Sequence, residues 1–147
     1  MSTKPIFREV IRPPLWLIAF IYFLLFSFVI AIWAAFDTAA GVNASLIAIV
    51  LGLLAIKAAT KTISVGDGEL RIGRAHIPLQ YCGVVEVISK KEFLPARTRD
   101  ADPAAFFALT FWISEGIKVE ITDQQDPTPY WLISTKRAQA LQAALKS

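Results

Sequence analysis

Two long apolar runs dominate the first part of the chain. Residues 13–36 contain no charged side chain, and a second charge-free run covers residues 38–56. A helix needs roughly 20 apolar residues to cross the hydrocarbon core of a bilayer, at about 1.5 Å rise per residue. A soluble helix would show a polar stripe, whereas only Tyr22 and Ser27 interrupt the first run. The pattern therefore predicts a two-helix transmembrane hairpin at residues 13–58, with helices at about 14–36 and 40–58.

A cleaved signal peptide is the alternative interpretation of the first run. The apolar core of a signal peptide is about 7–15 residues long and precedes a small-residue cleavage site. The sequence DTAAG after the first run resembles such a site weakly. The greater length of the run and the second apolar segment behind it favour the hairpin.

The basic residues near the two runs lie on their outer sides: Lys4, Arg8, Arg12, Lys57 and Lys61. The connecting segment DTAAGVN has one acid and no base. Because short cytoplasmic segments are enriched in Lys and Arg, we expect a multi-pass protein of the inner (plasma) membrane with both termini cytoplasmic. Residues 1–12 are then a cytoplasmic tail, and residues 59–147 a cytoplasmic domain.

The pattern after residue 59 is that of a β-rich domain. In IKVEITD, the apolar side chains Ile117, Val119 and Ile121 alternate with polar ones, as in a half-buried strand. Further strand-like runs are KTISV, ELRIG, AHIPL, GVVEVIS, AFFALTFWI and YWLI. The charged, proline-containing segment 90–103 is interpreted as a loop, and a helix is predicted at about 135–146.

Strands in sequential order followed by one C-terminal helix predict a small α+β domain. The order is typical of a pleckstrin-homology-like bent sheet or barrel, here with six to seven antiparallel strands and the helix as its plug. The predicted fold class is thus a membrane α-helical hairpin followed by this domain. A fold of this kind implies no activity by itself.

The stretch DPTPYWLIST carries two prolines directly before the last predicted strand. Pro127 and Pro129 each preset their own φ and push the preceding residue toward extended geometry. Alternation then places Tyr130 on one face of the strand and Trp131 on the other. We interpret these four residues as a structural motif that sets the strand register.

Net charge and residue counts narrow the function classes. The chain carries +3, but residues 58–147 hold eleven Lys or Arg against ten Asp or Glu, so nothing favours a nucleic-acid partner. Cys82 and His76 are the single cysteine and histidine. They are too few for a zinc site and lack the third group of a nucleophilic triad. We therefore expect no disulfide within the chain, no metal, no cofactor and no enzymatic activity.

Four residues are candidates for a surface that binds an anion or a partner: Arg74, His76, Arg97 and Arg99. Arginine pairs well with phosphate groups, and basic groups near a membrane attract anionic lipid headgroups. A protein partner is the second possible ligand. The alternative is that these side chains are ordinary surface residues paired with nearby acids such as Glu69.

Two segments carry a family resemblance: ELRIGRAHIPLQYCGVVEV and VEITDQQDPTPYWLISTKRAQALQAAL. They resemble the motifs of small actinobacterial membrane proteins in a domain-of-unknown-function family, family 3093. Gln80 and Cys82 differ from the family pattern. The resemblance implies the helical hairpin, and it does not imply any activity. We therefore expect a membrane-anchored cytoplasmic binding or scaffolding module, or alternatively a partner-dependent subunit of a membrane or envelope enzyme complex.

Overall fold

The computed structural model describes residues 4–147 and forms two compact units. One unit spans residues 12–61, and the other joins the described residues before Arg12 to residues 62–147. The elements in chain order are β1 (Phe7–Ile11), α1 (Leu15–Ala35), α2 (Thr38–Ala59), β2 (Lys61–Gly66), β3 (Glu69–Ile72), β4 (Ala75–Pro78), β5 (Cys82–Ile88), α3 (Lys90–Arg97), β6 (Phe106–Ala108), β7 (Gly116–Ile121), β8 (Tyr130–Ser134) and α4 (Ala138–Lys146).

The helical unit is a hairpin of α1 and α2. Both helices are long and apolar enough to cross a membrane, by length and composition. Asp37 begins α2 by accepting a hydrogen bond from the Ala40 N–H at 2.8 Å. Most large apolar side chains of both helices are exposed within the chain. Such a continuous apolar surface is typical of contact with lipid or with another protein.

Small residues let the two helices approach closely. A Cβ atom on Gly41 would lie 2.5 Å from the Trp33 ring, and one on Gly52 would lie 2.5 Å from the Tyr22 ring. Both distances are far below van der Waals contact, so each aromatic ring occupies the space that a larger residue on α2 would need. Close packing through small residues is the usual solution for helices in an apolar environment.

The second unit contains two four-stranded sheets. The first sheet has the order β1-β2-β3-β4, and the second has the order β5-β7-β8-β6. Gly66, at the end of β2, lies against Pro5, just before β1, so these two neighbouring strands run antiparallel. In the second sheet β6 pairs with β8 in parallel register. In the sequence, the whole helical hairpin thus lies between two strands that are neighbours in one sheet.

One hydrophobic core joins the inner faces of both sheets to α4. Alternation in the second sheet directs Val119, Trp131 and Ile133 inward. From α4, the fully buried Leu141 packs into the same core. Helix α4 also covers the edge of β5, where the Gln142 side-chain amide donates to the Val85 carbonyl at 2.8 Å. This bond occupies an acceptor that an edge strand would otherwise expose.

A buried carboxyl group ties β1 to the segment that leads into α4. Glu9 accepts hydrogen bonds from the Thr135 hydroxyl and, at 3.1 Å, from the Lys136 backbone N–H. The Thr135 oxygen also accepts from the Arg137 N–H at 3.0 Å, and the Arg137 guanidinium lies 5.0 Å from the centre of the Phe7 ring. The first strand is therefore held to the far end of the chain by polar contacts as well as by its apolar face.

The predicted α+β class is confirmed, but the closed barrel is not. The described residues contain eight strands in two sheets, and one pair is parallel. The extra strand is β1, which lies in the segment predicted to be a tail; residues 1–3 of that tail lie outside the described part. FREVI is buried at alternate positions, but its inward central residue is Glu9 and its outward Val10 is apolar. The sequence therefore shows no apolar-polar alternation here, and the pairing partner lies beyond the hairpin.

Two local interpretations were wrong. The predicted loop at 90–103 contains α3, where Glu92 accepts from both the backbone N–H and the hydroxyl of Ser89. The run AFFALTFWI is extended only at Phe106–Ala108, because a turn follows. The predicted C-terminal helix is present as α4, which begins at Ala138, while the Thr135 hydroxyl donates to Glu9.

We expect Trp131→Ala to destabilise the two-sheet unit more than Tyr130→Ala. Trp131 is only 6% exposed and packs against the tilted Phe106 ring, with ring centres 4.6 Å apart, whereas Tyr130 is half-buried on the opposite face. Truncating a buried tryptophan costs about 3–5 kcal/mol. Thermal unfolding of the detergent-solubilised full chain measures the difference, with the exposed Val84→Ala as control. Equal melting temperatures for the two aromatic variants would contradict the packing.

We expect Glu9→Ala to lower the free energy of unfolding by about 1–3 kcal/mol, because the Thr135 hydroxyl and the Lys136 N–H would lose their acceptor in a buried position. Arg8→Ala is the matched control, since Arg8 is the exposed neighbour on the same strand. Denaturant unfolding of the full chain measures both. Similar losses from the two variants would show that the carboxyl group contributes nothing beyond strand packing.

Candidate functional site

The outer face of the second sheet is only partly covered. Helix α3 covers one end, where the fully buried Phe93 lies over Gly116. Leu132, which points to this face, is also fully buried. Beyond α3 the sheet surface is open, and the uncovered part forms a groove.

This outer groove consists of two adjoining clefts of about 350 and 410 Å³. Both clefts are lined by Glu86, Lys118 and Tyr130, which lie on neighbouring strands β5, β7 and β8. The strand register places Glu86 opposite Lys118, and Glu120 opposite Tyr130. The floor of the outer groove is therefore a row of polar side chains supplied by three paired strands, which is a rigid support.

Tyr130 is the best-fixed side chain of the groove. The Lys118 ammonium lies 4.4 Å from the centre of its ring, a favourable cation–π distance. The Phe107 ring meets it edge-on, with centres 6.4 Å apart. Its hydroxyl oxygen accepts the Asp102 N–H at 2.9 Å, which leaves the phenolic O–H able to donate to a ligand.

Charges of both signs line the groove. At one end the Glu120 carboxylate accepts from the Val84 N–H at 3.4 Å. At the other end, beside α3, Arg99 forms an exposed ion pair with Asp100 at 3.3 Å. Mixed charges over a half-buried aromatic ring suit a polar or charged segment of a partner better than a small apolar molecule.

The proline-containing loop leads into one wall of the groove. Pro129 lines the groove, and its carbonyl accepts the Ile121 N–H at 3.1 Å, which closes the β7–β8 hairpin. Asp126 accepts from the Thr128 N–H at 2.9 Å. Hydrogen bonds from the Thr128 side chain and backbone lower the pKa of the Asp126 carboxyl below its ordinary value of 3.8. The turn therefore extends the ionised range of this carboxylate to lower pH. Pro127 lies exposed in the same loop.

The predicted basic surface is not assembled as one site. Arg74 and His76 are exposed in the β3–β4 hairpin of the first sheet. Arg97 lies at the end of α3, with its guanidinium 6.0 Å from the centre of the Phe93 ring. Arg99 alone lines the outer groove. Among the described residues, no ion pair, hydrogen bond or ring contact joins the first two to the last two.

Cys82 and His76 belong to different sheets. Cys82 begins β5 and is half-buried, and burial raises the pKa of its thiol to about 11. Only a very small fraction of this thiol is ionised at neutral pH, and the thiolate is the reactive form. The residues that the structure describes contain no cluster of three or more potential metal ligands.

The sequence reasoning missed Glu86, Lys118 and Glu120 as members of one surface. The alternation of IKVEITD had placed Lys118 and Glu120 on its polar face, and such a face is ordinarily solvent-exposed. Which polar side chains of other strands lie beside them depends on the strand order. That order, β5-β7-β8, is set by long-range pairing.

Fold and site together define a class of protein. It has a two-sheet α+β unit with a groove on its outer face, and an apolar helical hairpin interrupts the sequence of this unit between two paired strands. The chain belongs to the family described as a protein of unknown function, DUF3093, whose model matches residues 6–145. This match confirms the predicted membership in family 3093. Neither a curated protein nor a solved structure matches the chain.

Proposed function

We propose that this protein is a membrane-anchored binding module of the plasma membrane. Its hairpin crosses the bilayer twice, both termini are cytoplasmic, and the outer groove holds a charged segment of a protein partner. The observation that carries the proposal is the insertion of an apolar hairpin between two paired strands of a domain that also has a polar groove.

The strand pairing supports the two-span topology. β1 ends at Ile11 and the antiparallel β2 begins at Lys61, so the chain leaves and re-enters the two-sheet unit at the same end of one strand pair. A segment that starts and finishes at one place crosses a bilayer an even number of times, and the described residues offer two suitable helices. The flanking bases favour the cytoplasm for that place.

The groove supports binding. Strand pairing holds the floor of the groove. Lys118 and Phe107 both contact the Tyr130 ring, and charged side chains lie on both sides of that ring. A preformed site of this kind binds without first ordering its own side chains, which reduces the entropic cost of association. The same groove would serve as the docking surface if the partner were an enzyme of the membrane or envelope.

Cysteine labelling tests the topology. In a Cys82→Ser background, an externally applied, membrane-impermeant maleimide is expected to label Thr38→Cys, between the helices, and to miss Ser147→Cys. After the cells are permeabilised, both should react. Labelling of Ser147→Cys in intact cells would overturn the orientation, and labelling of both positions in intact cells would overturn the membrane anchor.

Photo-cross-linking tests the groove. A benzoylphenylalanine in place of Glu86 is expected to give a discrete cross-linked product in cells, and Lys118→Glu in the same chain should reduce that product at least several-fold. The matched control carries the probe at Gln139, which is exposed on α4 away from the lining of the groove. Equal products from both probe positions, or no effect of Lys118→Glu, would contradict a specific site.

A further inference from the structure

An exposed aromatic turn follows the short strand β6. The Ile113 N–H donates to the Thr110 carbonyl at 3.0 Å, which closes the turn around Phe111 and Trp112. Phe111 is 63% exposed, and its ring meets the Trp112 ring edge-on with centres 4.8 Å apart. The turn therefore presents a large apolar side chain to the surroundings on a rigid aromatic base.

Two lysines lie beside this turn. A cleft of about 310 Å³ is lined by Lys90, Trp112, Ile113, Ser114, Glu115 and Lys136. Within the described residues, neither lysine forms an ion pair. Glu115 is the one acid of the lining, so the cleft carries two positive charges and one negative charge.

The indole N–H of Trp112 adds an independent signal. The nitrogen is buried and has no hydrogen-bond partner among the described residues. A buried tryptophan N–H ordinarily finds an acceptor. The donor without a partner therefore belongs to a residue that also lines the cleft with Lys90 and Lys136.

We infer that the Phe111–Trp112 turn, together with Lys90 and Lys136, is a contact site for anionic phospholipid. Phe111 enters the boundary between headgroups and acyl chains, and the two ammonium groups bind the lipid phosphate. Aromatic and basic side chains together are the usual composition of such an interfacial contact. This site differs from the predicted set Arg74, His76, Arg97 and Arg99.

The inference rests on the proposed membrane anchor. The chain segments between the hairpin and strands β1 and β2 are only a few residues long, so a membrane-spanning hairpin would keep the two-sheet unit close to the headgroups. At that distance a single aromatic side chain and two charges are sufficient for contact, because tethering replaces the entropic cost of bringing the domain to the surface.

The test uses the full chain in lipid nanodiscs, with and without anionic phospholipid. In a Cys82→Ser background, the environment-sensitive fluorophore NBD is attached at Phe111→Cys, and nitroxide-labelled lipids serve as quenchers. We expect a blue-shifted emission that the lipid nitroxide quenches when anionic lipid is present. Leu94→Cys, an equally apolar and 55% exposed position on α3, is the matched control and should report water.

Removing the two lysine charges should weaken the contact. Each basic residue near an anionic surface raises the equilibrium constant for contact about fivefold. Lys90→Gln with Lys136→Gln is therefore expected to lower this constant roughly 30-fold. High salt should have a similar effect. The double variant Lys91→Gln with Lys146→Gln removes the same charge elsewhere and should retain most of the quenching.

A label at Leu46→Cys, exposed on α2, separates failure of this inference from failure of the anchor. Quenching at position 46 together with a water-exposed label at position 111 would overturn the lipid contact alone. Absence of quenching at position 46 would overturn the membrane anchor, and the lipid contact with it. An equal response of the lysine and control double variants would overturn the role of Lys90 and Lys136.

Discussion

The buried carboxyl group of Glu9 connects parts of the chain that nothing local would bring together. Its partners, the Thr135 hydroxyl and the Lys136 N–H, lie near the other end of the sequence. These bonds hold β1 at the edge of the first sheet, next to β2, which is the strand that follows the helical hairpin in the sequence. A polar group buried at such a junction has few acceptable alternatives, because an unmatched donor or acceptor there is costly. The contact therefore favours one closure of the two-sheet unit.

The pairing of β1 with β2 brings together the two strands that flank the hairpin in the sequence. A hairpin at one end of a domain is joined to it by one chain segment. A hairpin between two paired strands is joined to the domain by two segments, and both are short here. In the proposed function, both connections join the hairpin to the unit that carries the outer groove, with Tyr130 as its fixed centre.

Sequence reasoning succeeded where a pattern is local and strong. The apolar hairpin, the α+β class, the outward direction of Lys118 and the inward direction of Trp131 all follow from periodicity that is readable within a few residues. It failed at β1 because a strand of five residues is stable only through its partner, and that partner lies beyond the hairpin. It also failed at α3, although the spacing of Ser89 and Glu92 is a local capping signal.

What the sequence determined by itself was the placement of apolar surface: two runs suited to lipid, and alternating strands suited to one core. These depend on the residues alone, since transfer of apolar area out of water is additive and non-directional. Only the tertiary structure decided which polar side chains meet. The groove of Glu86, Lys118 and Tyr130 and the cleft of Lys90 and Lys136 arise from strand order and from turns. Hydrogen bonds are short-ranged and directional, and a close pair of charges needs both groups side by side, so these contacts exist only after long-range pairing has fixed each neighbour.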